Sequence, residues 1–306
     1  MLELPERSLT LPEVNRPVRC SDAARGRGDP TFATAPSVQQ WLLIEHRGGW
    51  GCDILSGAGL DPGVARELGR WAEQTAGRVL LIRRPGPDRQ TARLHRWCWA
   101  DSRPGDERLR WGTFTDESDV LAVLRDPLAS GESSDEPVYL VCAHGTHDVC
   151  CALRGRPLAA ALAADHPQRT WECSHLGGHR FAANLVLLPH GLYYGQVPPE
   201  RAREVVCRYD HGRLCLQWLR GRSSLPAVLQ AAQHFARTAT GETGVDSHPP
   251  VHCEQTGPDE WEVRLAMPGA QPLTVVVRAR MQLTEEPLSC AATGPGQFRV
   301  FDVVQA

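Results

Sequence analysis

Two short runs of soft-metal ligands, each placed directly after a strand-like apolar segment, constrain this chain more than any other feature. The first is Cys142-Ala-His-Gly-Thr-His-Asp-Val-Cys150-Cys151, and the second is His175-Leu-Gly-Gly-His179. Residues 138–141 before the first run and 170–173 before the second read as short buried strands. In an α/β sheet the carboxyl ends of neighbouring strands gather functional loops on one side. Two such loops can therefore meet over a single ion or cluster, and the chain must fold so as to allow it.

The surrounding pattern supplies such a fold. After the strand at 138–141 come a helix at 157–165, the strand at 170–173, a hairpin at 185–188 and 192–194, and a helix at 199–209. The order β, α, β, β, β, α matches a thioredoxin-like layout. Upstream, residues 41–45 read as a buried strand, and Asp61-Pro62 opens a helix with Val64, Leu68 and Trp71 on one face and Gly77 at its close. Strands at 78–82, 93–99 and 109–114 and a short helix at 118–124 complete a first α/β unit, which could be a distant copy of the second. Residues 126–137, rich in Pro, Ser, Gly and acid, read as a linker. A helix at 226–237 leads through a polar stretch to strands at 261–266, 273–279 and 298–304. The expected divisions are an N-terminal α/β unit over 1–130, a thioredoxin-like unit over 131–240 and a small β appendage over 241–306.

Composition narrows the chemistry. The 306 residues are 42% hydrophobic and 23% charged with a formal charge of -3, so neither nucleic acid nor an acidic membrane surface is an expected partner. All 33 basic residues are arginine. That excludes a Walker A lysine, a Schiff-base lysine for pyridoxal phosphate and a Ser-x-x-Lys nucleophile. Residues 1–11 lack the apolar core of a signal peptide, and no run approaches a membrane span, so a cytoplasmic location is expected. Eleven cysteines, an odd number in a large chain, favour metal or redox use over a disulfide framework.

Within the two runs, Cys142 and Cys151 stand nine positions apart, a loop long enough to curl round a metal group. Asp148 caps a turn beginning at Val149, where a helix dipole favours thiolates. Gly177-Gly178 lets the backbone bend so that both histidine rings face one centre. Two cysteines with two histidines also make a structural zinc site, and spacing alone leaves that alternative open.

These residues resemble the sucrase/ferredoxin-like family. The likeness covers Trp41-Leu-Leu-Ile-Glu-His46 with Trp50-Gly51, residues 78–85, the run from Cys142 to Cys151, residues 171–182, Tyr194-Gly195, Arg220-Gly-Arg222 and Ser289-Cys290. It implies a thioredoxin-like ferredoxin domain with one [2Fe-2S] cluster on Cys142, Cys151, His175 and His179, with Cys151 rather than Cys150 as the second thiolate. It also implies an electron carrier, rather than a stand-alone enzyme, working between a reductase and an acceptor that the sequence does not identify. With two imidazoles in the ligand set, the expected potential is that of Rieske-type centres, roughly -150 to +300 mV against about -400 mV for all-cysteine plant-type clusters. It is expected to fall as pH rises through a ligand pKa. No carboxylate pair in a glycosidase setting supports the first half of the family name.

Other readings weigh against further site residues. His144 and His147 read as solvated loop histidines, outer donors or proton carriers, and Arg180 as cationic charge near the cluster or at a docking surface, or as a surface ion pair. Cys150 and Cys173 read as packing residues. Cys20, Cys52, Cys98, Cys207, Cys215, Cys253 and Cys290 lack metal spacing and read as structural. A thiol-disulfide enzyme on Cys150 and Cys151 lacks the expected Cys-x-x-Cys.

Overall fold

The structure, a computed structural model, describes residues 18–86 and 94–305. The signal-peptide reading of residues 1–11 and the first residue of the strand expected at 93–99 lie outside them. In chain order the elements are α1 (Cys20–Gly26), β1 (Gln40–Glu45), α2 (Ile54–Gly57), α3 (Pro62–Gln74), β2 (Gly77–Arg83), β3 (His95–Asp101), β4 (Arg108–Phe114), α4 (Val120–Arg125) and β5 (Glu132–Ser134). There follow β6 (Val138–Cys142), α5 (Val149–Asp165), β7 (Thr170–Cys173), β8 (Leu185–Leu188), β9 (Leu192–Tyr194), α6 (Ala202–Asp210), β10 (Leu219–Arg222) and α7 (Ala227–Thr240). The chain ends in β11 (Pro250–Gly257), β12 (Glu260–Leu265), β13 (Leu273–Thr284) and β14 (Gly296–Gln305).

Two units of the same topology share one ten-stranded mixed sheet, ordered β10-β9-β8-β6-β7-β2-β1-β3-β4-β5. In each, a parallel pair is joined by a helix, β1-α3-β2 and β6-α5-β7. Two further antiparallel strands extend the sheet beyond the first strand of the pair, β3-β4 and β8-β9. This is the thioredoxin-like order in both halves. The halves meet where β2 and β7 pair antiparallel through Ile82 with Cys173 and Arg83 with Glu172.

Alternation along the strands sorts the core. Leu42, Ile44, Val79 and Leu81 face α3 and α4, while Tyr139, Val141, Leu185 and Leu187 face α5 and α6. The opposite face carries Trp41, Leu43, Leu80 and Ile82 with Leu140, Cys142, Trp171 and Cys173 in one continuous core. The sheet curls round this second face. Trp111 of β4 thus stacks on Trp171 of β7, with three strands between them in the sheet and ring centroids 5.7 Å apart.

Several expectations need correction. The helix expected at 157–165 begins eight residues earlier, because the Asp148 carboxylate accepts Cys150 N–H at 2.9 Å and caps it, and Pro157 sits inside the helix. Gly77 does not close α3, which ends at Gln74 with Thr75 as its cap; Gly77 opens β2. The linker at 126–137 contains β5, which pairs with β4 at the sheet edge. The C-terminal region is a four-stranded antiparallel sheet, with β11 unforeseen, that packs Val263, Leu265, Val275 and Val277 on Ala231, Ala232 and Ala236 of α7. No helix among the described residues is long and apolar enough to cross a membrane.

Candidate metal centre

Strands β6 and β7 run parallel and adjacent, with Cys142 level with Cys173, so the loops that follow them leave the sheet side by side. The first loop turns back into α5, whose opening turn carries Cys151. Gly155, one turn further on, lies so close to the sheet that a Cβ there would stand 1.9 Å from the Cys142 carbonyl oxygen. Close packing of helix on strand therefore sets the separation of the two thiols.

The second loop is held by its own carbonyls. Arg78 Nη1 donates to Leu176 O at 2.7 Å, and the Tyr193 hydroxyl donates to the same oxygen at 3.2 Å. Arg220, fully buried, donates to Gly177 O at 2.9 Å, to Asn184 Oδ1 at 2.7 Å and to Thr34 O at 2.6 Å. Asn184 Nδ2 in turn donates to Gly178 O at 3.0 Å. Gly177 and Gly178 take φ of +91° and +72°, which L side chains rarely adopt, and a Cβ on Gly178 would lie 2.5 Å from Arg220 Nη2. The glycine pair thus serves both the bend and the arginine beneath it.

Three of the four sequence-derived ligands converge directly. His175 Nδ1 lies 3.9 Å from Cys142 Sγ and 3.6 Å from Cys151 Sγ, and the three ligand atoms form one compact group. The fourth, His179, closes a second group with His175 and His147. Its ring centroid is 5.3 Å from that of His175, and its Nδ1 is buried without a hydrogen-bond partner. On its other side, Nε2 stands 3.9 Å from Asp148 Oδ2. Cys150 points elsewhere, toward Cys20 and Cys290.

The electrostatics favour a metal-binding state. The Cys142 sulfur is held well below the usual thiol range, chiefly by a hydrogen bond from the Cys151 thiol and also by His175, against the effect of burial. That same hydrogen bond, followed by burial, pushes Cys151 up. The two buried sulfurs are thus linked to each other, and a metal there would require both as thiolates. Burial lowers the His179 pKa and keeps its ring neutral, the form that binds metal. Burial works to raise the Asp148 carboxyl, but N–H groups of Cys150 and Cys290 outweigh it and hold the group below its ordinary value.

The structure selects between the expected alternatives for His144 and His147 and departs from them for Arg180. His144 is buried, not solvated: its Nε2 lies 2.7 Å from Gly51 O and its Nδ1 accepts His175 N–H at 3.2 Å, which fixes the tautomer and positions the His175 backbone. His147 is exposed but stacks on His175 with centroids 3.8 Å apart, while its Nδ1 lies 3.1 Å from Cys52 O. Arg180 makes no surface ion pair. It is buried, donates to Asp29 Oδ2 at 2.8 Å and lies over the rings of Phe181 and Phe298. No sequence spacing signals the His147 stack, which depends on how the 46–53 loop folds over the site.

The two ligand-bearing loops on a thioredoxin-like sheet define the class to which this chain belongs. A family model described as sucrase/ferredoxin-like matches residues 32–221, more than half of the chain, and the protein is a member of that family. Among curated proteins it is similar to Altered inheritance of mitochondria protein 32 of Meyerozyma guilliermondii, 34% identical over 115 residues, covering 34% of this chain and 41% of the relative. The protein of the same name in Candida glabrata is 23% identical over 128 residues, covering 37% of this chain and 41% of that protein. The chain thus spans about two fifths of the length of these relatives. Among solved structures, a variant of the thioredoxin-like [2Fe-2S] ferredoxin from Aquifex aeolicus aligns at 21% identity and a TM-score of 0.23, covering 27% of this chain and 96% of the ferredoxin.

Proposed function

We propose that this protein carries one [2Fe-2S] cluster on Cys142, Cys151, His175 and His179 and passes single electrons between partner proteins, a reductase and an acceptor. The observation that carries the reading is the meeting of two buried thiols with His175 Nδ1, beside a His179 Nδ1 that is buried and unpartnered. Two sulfurs and two ring nitrogens, carried by the segments that follow adjacent parallel strands, suit the group, and family membership agrees. A bound cluster of this type supplies reversible one-electron transfer.

The chain's own residues provide the rest. Cys142 and Cys151 lie on the dry side of the site, each at most 1% exposed, where water is excluded from the sulfurs. His144 fixes the His175 backbone, and the Asp148 carboxylate, 3.9 Å from His179 Nε2, adds negative charge that raises the basicity of that ring. Arg78 and Arg220 place positive charge on the carbonyls of the 175–179 loop, which favours an added electron. The histidine side is the one that reaches solvent through His147, and it is the side at which partners dock.

A second reading is a zinc-stabilised interaction module, favoured by the compactness of the Cys142, Cys151 and His175 group, which is the size of a single-ion site. Electron paramagnetic resonance on dithionite-reduced, anaerobically purified protein separates the two. A paramagnetic signal that vanishes in Cys142→Ser supports the cluster, and a silent, colourless protein containing zinc in its place refutes it.

A further inference from the structure

A second group of soft ligands lies beside the first and shares no ligand with it. Cys20 opens α1, Cys150 lies in the first turn of α5, and Cys290 sits in the loop between β13 and β14. These three segments are far apart in the chain, yet the sulfurs form a triangle: 3.7 Å between Cys20 and Cys150, 3.3 Å between Cys150 and Cys290, and 3.5 Å between Cys290 and Cys20. Asp148 stands over it, with Oδ2 3.8 Å from Cys20 Sγ. All four ligand atoms lie within 4.8 Å of one another.

We propose that Cys20, Cys150 and Cys290, with Asp148 as the fourth ligand, form a second metal site that takes a single zinc ion. Zinc binds thiolate at about 2.3 Å in tetrahedral geometry, which places pairs of sulfurs about 3.8 Å apart. The observed edges fall short of that figure by up to about half an ångström, so the triangle opens around an ion with small movements. A disulfide needs about 2.05 Å, far shorter than any edge. An iron-sulfur cluster distributes its thiolates over separate irons and needs a wider set of sulfurs than this.

The setting suits a structural ion. Cys20, Cys150 and Asp148 are buried, while Cys290 is exposed and leaves an approach for the metal from solvent. The carboxylate is already oriented: Oδ1 accepts Cys150 N–H at 2.9 Å and Oδ2 accepts Cys290 N–H at 3.0 Å. Binding takes all three cysteines as thiolates and releases to solvent the protons they still carry, with no change of oxidation state. The ion would tie the N-terminal helix and the loop before β14 to the start of α5, one residue from Cys151. It therefore braces the helix that presents a ligand of the first centre.

The test uses the full chain purified without oxygen, with zinc and iron measured by plasma emission, in wild type and in the double variant Cys142→Ser/Cys151→Ser with and without Cys290→Ser. About one zinc per chain is expected in the double variant, where the first centre is disabled. A loss of at least tenfold in zinc is expected when Cys290→Ser is added to that double variant. Because Cys290 is exposed, that substitution leaves the fold intact by circular dichroism. Cobalt added to the metal-free double variant should give the intense visible bands of a tetrahedral thiolate site, and these should weaken when Cys290→Ser is added. Zinc in the double variant unchanged by Cys290→Ser, absence of bound zinc and cobalt in the double variant, or a native disulfide among the three cysteines found by alkylation and mass spectrometry would each overturn the proposal. The second site stands or falls whether or not the first holds iron.

Discussion

Replacing Gly155 with alanine should both weaken the fold and empty the first centre. A methyl group there would stand 1.9 Å from the Cys142 carbonyl oxygen. Carbon and oxygen in favourable contact rest at about 3.3 Å or more. The obstacle is strand backbone rather than a side chain that can swing away, so α5 must retreat from β6 by roughly 1 Å. Overpacking of this kind costs about 1–3 kcal/mol, and relief of glycine's backbone entropy returns about 0.5–1 kcal/mol. A net loss of ~1–2 kcal/mol corresponds to a fall in Tm of roughly 2–8 °C for a protein of this size. Because Cys151 lies one turn before Gly155, the same retreat draws its sulfur away from Cys142, and metal content should fall with stability. Gly69 in α3 is the control: a Cβ there meets only Leu55 Cδ1 at 3.5 Å, an ordinary contact. Gly69→Ala should stabilise by about 0.5–1 kcal/mol and leave metal content unchanged. Scanning calorimetry and metal analysis on both variants suffice. A Gly155→Ala protein that melts with the wild type and retains its full metal would show that helix packing does not set the thiol separation.

Other consequences follow from particular contacts. Arg220→Met removes the donor to Gly177 O, Thr34 O and buried Asn184 Oδ1, and should cost about 2–4 kcal/mol in urea unfolding; a loss below about 1 kcal/mol would mean that the loop does not rest on this arginine. His234 stacks on Phe32, has a buried unpartnered Nδ1, and is lowered by burial and by Arg237 to about 4. Its folded pKa lies below the unfolded value of 6.5, so its contribution is complete above that pH and is lost as pH falls from there toward 4. The lost stability is at most about 3 kcal/mol, less for the part-exposed ring, and His234→Leu should flatten the stability curve over that window; parallel curves would contradict it. His175→Cys or His179→Cys should give a cluster of lower midpoint potential by redox titration, and an unchanged potential would remove both histidines from the ligand set.

Much of this architecture can be read from residues whose local pattern matches their final surroundings. β6, β7, β8 and β9 are short runs buried on both faces, and their expected limits lie within one residue of those observed. The pairing of the Cys142 and His175 loops is legible for the same reason, since each follows such a strand. What escapes is structure fixed by distant partners. β5 is three polar residues, Glu-Ser-Ser, that become a strand only because the β4 edge is open to them. β11 is mostly exposed, so it lacks the apolar alternation that marks β12. Pro157 reads as a helix start, yet the Asp148 cap and the packing of Gly155 on β6 carry the helix through it. The junction of β2 with β7 leaves no local trace, and neither does the cluster of Cys20, Cys150 and Cys290, because no two of them are near in sequence.

The central claim meets its most direct test in the measurement of iron and acid-labile sulfide in the anaerobically purified full chain, beside its absorption spectrum. The account predicts iron and sulfide in equal amounts, a visible spectrum that bleaches on reduction, and the loss of all three in Cys142→Ser and Cys151→Ser but not in Cys150→Ser. A colourless protein free of sulfide after iron-replete expression, with zinc filling the site formed by Cys142, Cys151 and His175, would contradict it.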